Sequence, residues 1–449
     1  MKIFVPRPLR DFAQVFYSAG YTCYFVGGAV RDSILGKKAA DWDAATDARP
    51  EQVQQLFRKV IPTGVQHGTV SVRWHDALIE TTTFRIDGDY QDGRRPQTVQ
   101  FSDDLIADLS RRDFTINGMA VDPRDGKLID PFGGLADLKA GVVRAIGDPL
   151  ERFGEDGLRP LRAVRFATRF AFEIDPTTLA AIPQCLDRFR MVSAERIREE
   201  FSKTLICSGP SYGLGLLESC GLLAEFLPEL AICRGISQGD YHAFDVFDHS
   251  RYACDAAPAV LELRLAALLH DIGKPTCRTV GDDGAIHFYG HELESARLAE
   301  KLLRRLKYPN QLVDSVTHLI RQHMFDYSPE WTDAAVRRFA ARVGLDKLPD
   351  LIQLRLADAA GMKRQPTDAR LLLELQDRVA ELRARENAFS VKDLAINGND
   401  LSASGWPKGP KMGQVLQELL ETVLDDPELN TPERLQEIAS RLKIKYGIG

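Results

Sequence analysis

YTCYFVGGAVRD, residues 21–32, together with DWDAAT, residues 41–46, is the stretch on which the fold of this chain turns. Tyr21 to Val26 is a short apolar run that breaks at Gly27-Gly28 and gives way to a helical pattern from about Ala29, so strand, turn and helix follow in that order. A glycine pair at such a junction lets backbone N–H groups approach a triphosphate, and Arg31 can add a bidentate grip; a tight turn accounts for the same pair equally well. Ten residues after Arg31 stands Asp41-Trp42-Asp43. On a strand, residues i and i+2 share a face, so the two carboxylates converge and repel each other unless a cation sits between them. Two Mg2+ ions held this way would activate a 3′-hydroxyl and stabilise the departing pyrophosphate during in-line attack on an α-phosphate. D-x-D alone more often marks a solvated loop, and the glycine turn just upstream gives it weight.

Downstream, HGTVSVRW (67–74) and ALIETTTFR (77–85) are β-branched segments split by the polar pair His75-Asp76, which reads as a hairpin in an antiparallel or mixed sheet. Glu80 on the second segment is a candidate third acid, with a structural cross-strand pair as the alternative. From about Phe153 the period changes to 3.6 residues, as in LRAVRFATRF, AERIREEFSKTL, LELRLAALLH and LLLELQDRVAELRA. The fold class is therefore α+β, a mixed-sheet head followed by a helical remainder. Pro/Gly punctuation near Gly209-Pro210, Gly235 to Gly239 and Asn397 to Gly409 marks boundaries.

The 449 residues suit about three domains, and 58 Lys+Arg against 64 Asp+Glu, net charge -6, exclude a uniformly basic nucleic-acid coat. Any RNA contact has to be local. Seven cysteines without a C-x-x-C argue against a disulfide framework and a zinc ribbon, and fit a reduced, cytoplasmic compartment. No run of roughly 18 apolar residues points to a membrane. Nothing in the sequence sets the oligomeric state.

GGAVRD (27–32), DWDAAT (41–46), HGTV (67–70), TTFR (82–85), RRDFTING (111–118), DPFGG (130–134) and EDGLRPLRAVRFA (155–167) occur in an order that resembles the bacterial CCA-adding enzyme and poly(A) polymerase family, class II of the nucleotidyltransferase superfamily. The resemblance implies a polymerase β-like nucleotidyltransferase head over 1–150, a helical neck with the base-reading and RNA-binding region over 151–235, an HD-type helical body over 236–365 and a tRNA-binding helical tail over 366–449. It implies Gly28 and Arg31 at the nucleotide, Asp41 and Asp43 on the metals, and Arg112 and Asp113 near triphosphate and ribose, where Asp113 can accept a 2′-hydroxyl proton. By themselves, the charges of RRD read equally as a surface salt-bridge cluster.

In the same resemblance, Asp156 and Arg159 form an amino-acid template that reads the base. An acceptor beside a donor matches the amino group and ring acceptor shared by cytosine and adenine, whereas uracil and guanine present a carbonyl and an N–H. If helical, Arg159, Arg162, Arg165 and Arg169 fall within a face of roughly 120°, suited to phosphate as well as to an ordinary solvated side. Two residues depart from the pattern. Pro160 would cost about 3 kcal/mol inside a helix, and Gly118 stands where the family usually has Ala. Pro160 in a first turn instead would put Asp156 and Arg159 on the incoming loop and weaken the shared-face argument.

The resemblance implies tRNA 3′ ends, CTP and ATP as partners. GVQHGTV (64–70) looks like the CCA-adding side, where poly(A) polymerases carry a basic segment. IDGDYQDGRRPQTVQF (86–101) resembles the loop that accompanies AMP addition and is shortened in CC-only relatives. An A-adding specialist keeps that loop, so full CCA addition, A-only addition and poly(A) synthesis all stay open.

A second chemistry is written as His249, His270-Asp271 and Asp358, the H…HD…D order of metal-dependent phosphohydrolases, with His291 and His323 able to complete a second metal position. The resemblance to the HD superfamily spans about 240–361 and implies a divalent transition metal and phosphatase or phosphodiesterase activity on nucleotide-like substrates; a purely structural HD module is the alternative. Near the C-terminus, Lys408 and Lys411 among glycines ahead of an amphipathic helix read either as a cradle for tRNA phosphates or as a glycine-rich linkage.

Overall fold

The computed structural model describes all residues except 38, 40, 66–67, 88–98, 240–242, 365–366, 386–387 and 449. It divides into two compact units, Met1–Ala231 with Leu302–Tyr308, and Ile232–Lys301 with Pro309–Gly449. His67 of the expected hairpin, Gln66-His67 of GVQHGTV, and most of the segment linked above to AMP addition lie outside the described residues.

The first unit is built on strands β1 (Cys23–Val26), β2 (Asp43–Thr46), β3 (Val60–Gly64), β4 (Thr69–Trp74), β5 (Ala77–Thr83), β6 (Arg85–Asp87), β7 (Val99–Phe101), β8 (Ala120–Val121) and β9 (Leu128–Ile129). Seven of them form one sheet in the order β3-β4-β5-β2-β1-β8-β9, while β6 and β7 pair separately. The sheet is mixed: β2 and β5 run parallel, and the other pairs are antiparallel. The β4–β5 hairpin turns at His75-Asp76 as expected, with His75 at a positive φ of 51°. Successive side chains of β1 point to opposite faces. Phe25 joins Phe12, Phe16 and Phe57 on one face, with Phe12 stacked on Phe57 at 4.9 Å between ring centroids. Val26 packs with Ala45, Phe84, Leu105 and Leu109 on the other. Burying each phenylalanine contributes about 2–3 kcal/mol, so Arg7–Ser18, which carries Phe12 and Phe16, is held by its apolar stripe.

Helices follow, and the one that matters most for function is Arg159–Phe170. Pro160 occupies its first turn, where the missing N–H costs nothing. The shared-face argument for Asp156 and Arg159 is therefore corrected: Asp156 is the C-cap of Pro149–Glu155, outside either helix, and Arg159 opens the next one. Gly118 has a packing reason, since a Cβ there would lie 2.6 Å from Ile146 and 3.3 Å from Phe132.

Among its described residues the second unit is helical apart from a two-stranded ribbon, Thr279–Val280 with Ile286–His287, turned by Gly284 at positive φ. A ribbon of Val142–Val143 with Glu173–Ile174 likewise interrupts the helices of the first unit, so the remainder is mainly helical. Trp406, Leu401, Leu419, Val423 and Leu435 form a C-terminal core. Lys411 donates to the Tyr446 carbonyl at the end of the last helix, which gives it a local structural partner. Among the described residues no helix is long and apolar enough to cross a membrane, and none of the seven cysteines forms a disulfide.

Candidate functional site

The antiparallel register sets Asp43 opposite Val26, at the end of β1 where Gly27 turns the chain into Gly28–Ile34. Gly27, rather than Gly28, is the strained position: its φ is +72°, and a Cβ there would sit 3.0 Å from Arg112 Nη1 and 3.9 Å from Asp43 Oδ2. The turn must be bare for strand end, carboxylate and guanidinium to meet. Asp41 lies in the segment entering β2 and not on the strand itself, so the i, i+2 argument is corrected. It still acts on Asp43. Burial, then the charges of Glu80 and Asp41, push the Asp43 carboxyl up to about 6, with Arg112 opposing them. The parallel register Ala44↔Thr81 sets Glu80, the candidate third acid, beside Asp43 on the neighbouring strand.

Facing Asp43 is a cavity of about 410 Å³ lined by Gly27, Gly28, Asn117, Phe166, three aspartates (Asp43, Asp113 and Asp156) and seven arginines (Arg31, Arg111, Arg112, Arg159, Arg162, Arg165 and Arg169). Such an excess of guanidinium fits a polyanion. Each arginine is held from behind. Arg31 is buried, donates to Asn117 Oδ1, pairs with Asp32 at 2.8 Å and lies 4.8 Å from the Phe170 ring centroid. Arg159 donates through Nη1 to Glu155 and to the Arg152 carbonyl, and through Nη2 to the Arg111 carbonyl at 2.9 Å. Arg165 is bound to buried Glu200, and Arg169 reaches Asp32 at 3.0 Å. Arg112 meets Asp108 at 3.5 Å, and its Nε finds no hydrogen-bond partner among the described residues.

Asp113 is engaged by donors of the chain itself. Its Oδ2 accepts from Arg162 Nε at 2.8 Å, and its Oδ1 accepts from Asn117 Nδ2 at 2.9 Å and the Phe114 N–H at 2.8 Å. Burial alone would raise its pKa, but Arg162, Asn117 and Arg159 outweigh that and hold it at about 2. Asp113 lines the cavity as a permanent anion that orients Arg162 and Asn117, with its acceptors committed to them. Asn117 and Glu200 were not singled out from sequence. Asn117 bridges Arg31 and Asp113, and Glu200 sits on a separate helix, 35 residues from the arginine it holds.

In the second unit, His249, His270, Asp271, His291, His323 and Asp358 are all buried and converge. His249 Nε2 lies 3.1 Å from His270 Nε2, 3.3 Å from Asp271 Oδ2 and 3.1 Å from Asp358 Oδ1. His291 Nε2 lies 3.2 Å and His323 Nε2 4.0 Å from Asp271 Oδ1. The Nδ1 atoms of His270, His291 and His323 each face the carbonyl three residues earlier, Ala267, Phe288 and Ile320, at 2.7–2.8 Å. That contact directs each Nε2 inward, where a neutral imidazole offers its lone pair to a metal, as backbone carbonyls do for metal-ligating histidines. Two sets, His249/His270/Asp358 and His270/Asp271/His323, have ligand atoms within 4.8 Å of one another. A cavity of about 600 Å³ opens onto this cluster past Lys274, Tyr289 and Arg355.

A strand edge carrying acids, set against a cavity built for a polyanion, is the architecture of a nucleotidyltransferase head. The poly A polymerase head domain model matches residues 23–144, a model described as a probable RNA and SrmB-binding site of polymerase A matches 171–233, and a tRNA nucleotidyltransferase domain 2 model matches 289–439. The CCA-adding enzyme of Levilactobacillus brevis is 37% identical over 416 residues, 91% of each chain, and that of Limosilactobacillus fermentum is 32% identical over 439 residues, 97% of each. A crystal structure of the Bacillus stearothermophilus CCA-adding enzyme in complex with CTP aligns over 99% of both chains with a TM-score of 0.74 and 28% identity. This chain belongs to the bacterial CCA-adding enzyme family, whose nucleotidyl transfer uses divalent metal.

Proposed function

We propose that the chain adds CMP and AMP, from CTP and ATP, to the 3′ end of tRNA in the cytoplasm. The observation that carries this reading is that Asp43, which feels the charges of Glu80 and Asp41, lines the same arginine-rich cavity as Asp156 and Arg159. Asp41 and Asp43 would hold two Mg2+ ions. Their hard carboxylate oxygens suit that ion, and an Asp43 carboxyl pushed up by burial and then by the charges of Glu80 and Asp41 fits a site completed by cations. Bound there, Mg2+ supplies charge stabilisation for phosphoryl transfer.

The chain's own side chains bind and orient. Gly28, Arg31 and Arg112 grip the triphosphate, and Asp113 sets Arg162 toward it. Of the five N–H donors of Arg159, three are used by protein acceptors, which leaves hydrogens on Nη2 and Nε for the base. Asp156 supplies the acceptor, and Arg165 completes the cationic wall. The four-part division 1–150, 151–235, 236–365 and 366–449 then reads as head, neck, body and tail, the tail gripping tRNA by shape and phosphate placement.

Incubating the protein with tRNAs lacking zero to three terminal residues, and CTP or ATP singly and together, tests this. Addition that stops at CCA is expected; long A tails would identify a poly(A) polymerase, and A alone on tRNA ending in CC an A-adding specialist. Asp41→Ala and Asp43→Ala are expected to abolish addition.

The inward-facing Nε2 atoms favour a second activity. The donor set of His249, His270, Asp271 and Asp358, with His291 and His323 at an adjoining position, fits a divalent transition metal, which would activate water for hydrolysis of nucleotide or RNA phosphates. Lys274, 2.7 Å from Asp271, and Arg355, 2.6 Å from Asp358, orient the carboxylates. Phosphate release that depends on His270 and Asp271 but not on Asp43 is the expected result; metal content unchanged in His270→Ala would exclude the site.

A further inference from the structure

Asp156 is the first residue of a three-residue bend, 156–158, between two helices, and Arg159 opens the second of them. A bend of that kind, left to itself, would let a carboxylate swing. Two features hold it. At Gly157 a Cβ would come 2.3 Å from the Arg188 carbonyl oxygen and 3.1 Å from the Phe189 nitrogen, so this backbone lies directly on that of Leu186–Arg190. The Asp156 carboxylate is tied at both oxygens, Oδ1 by the Leu158 N–H at 3.0 Å and Oδ2 by Arg196 Nη2 at 2.6 Å.

Arg196 stands on Ala194–Leu205, outside the residues that line the cavity, and one turn further along the same helix Glu200 holds Arg165 and lies 3.7 Å from Arg162. Residues at i and i+4 share a helix face. One face therefore serves two parts of the cavity wall: a cation behind the Asp156 acceptor, and an anion behind Arg162 and Arg165.

We propose that Arg196 is a positioning residue for base selection: it clamps Asp156 so that the remaining lone pairs of the carboxylate face the cavity, and thereby sets the preference for cytosine and adenine over uracil and guanine. The inference rests on the reading of Asp156 and Arg159 as the base-reading pair. A carboxylate has about four acceptor directions, and Leu158 and Arg196 use one on each oxygen. The others are left for an exocyclic amino group, and in that orientation they repel the carbonyl that uracil or guanine offers at the same place. Without Arg196 the Oδ2 side is untied, the carboxylate rotates, and the repulsion is lost while the phosphate grip of Arg31 and Arg112 stays.

The test is kcat/KM of the full-length protein for CTP, UTP, ATP and GTP, each alone, on tRNA lacking its terminal residues. Arg196→Ala is expected to lower the CTP/UTP and ATP/GTP ratios by about tenfold or more, the scale on which a site keyed to polar groups discriminates, and Arg196→Lys to restore part of the loss. If the alanine variant does not fold by circular dichroism, Arg196→Met, which keeps the apolar stem and drops the donors, carries the same expectation. Asp156→Ala is run alongside. If it relaxes the ratios and the Arg196 variants slow all four nucleotides equally, the positioning role is overturned and the base-reading pair stands. If Asp156→Ala itself leaves the ratios unchanged, the base-reading assignment fails, and the role of Arg196 with it.

Discussion

Asp43 and Glu80 stand side by side, one residue before the paired Ala44 and Thr81 of two parallel strands. Burial and this neighbour raise the Asp43 pKa to about 6 from an ordinary 3.8. For an acid whose folded pKa is raised, folding is penalised by ionisation: the penalty is absent below about pH 4, grows through pH 6 and is complete above it. Its ceiling is about 3 kcal/mol, reduced by solvent screening. Chelator-treated Asp43→Asn is therefore expected to melt above the wild type at pH 7.5 and level with it near pH 4. Added Mg2+ should close the gap, by scanning calorimetry.

Gly27→Ala places a methyl against Arg112 at a backbone angle that disfavours any side chain. A cost of about 1–2 kcal/mol in urea unfolding is expected. The nucleotide KM should rise as Arg112 is displaced, whereas Gly28→Ala, with nothing nearer than Arg31 Nη2 at 3.5 Å, should be milder on both counts.

Glu200→Ala leaves the guanidinium of Arg165 buried without its carboxylate. Breaking a buried pair from one side costs about 3–5 kcal/mol, so a clear fall in denaturant midpoint is expected. Glu200→Gln, which keeps an acceptor, should fall less.

In the metal-free histidine cluster, burial would lower the His270 pKa, but Asp271 and Asp358 prevail and raise it to about 10, while burial and the adjacent His270 hold His323 near 3. The stabilisation from charged His270 is full below about pH 6.5 and is lost as pH rises through 10. A metal needs the neutral imidazole. Titrating Mn2+ or Ni2+ into chelator-stripped protein at pH 7 is therefore expected to release about one proton per ion through His270, read with an indicator dye, and His270→Ala should abolish the release.

Much of this was legible because the chemistry is local in the chain. The glycine turn and the arginines of one helix follow local patterns that survive without coordinates, whereas the i, i+2 spacing of Asp41 and Asp43 does not carry over because Asp41 precedes the strand. Pro160 could be read two ways, and its place in a first turn decides between them. What could not be read is support from a distance: Arg196 behind Asp156, Glu200 behind Arg165 and Asn117 against Arg31 are separated by 40, 35 and 86 residues in sequence. Nothing in an amphipathic helix says which of its buried charges will meet which. The partner of Asp113 is hidden for the same reason, because RRDFT does not reveal that Arg162 would come from Arg159–Phe170 to meet it.

The carboxylates behind the cavity have one more effect. Arg31, Arg159, Arg162, Arg165 and Arg169 already face Asp32, Glu155, Asp113 or Glu200 before any ligand arrives. An incoming triphosphate joins these anions at an already satisfied wall, so its affinity is a difference between two sets of ion pairs. That difference is small compared with either set, which suits a polymerase that must let go of pyrophosphate after every addition.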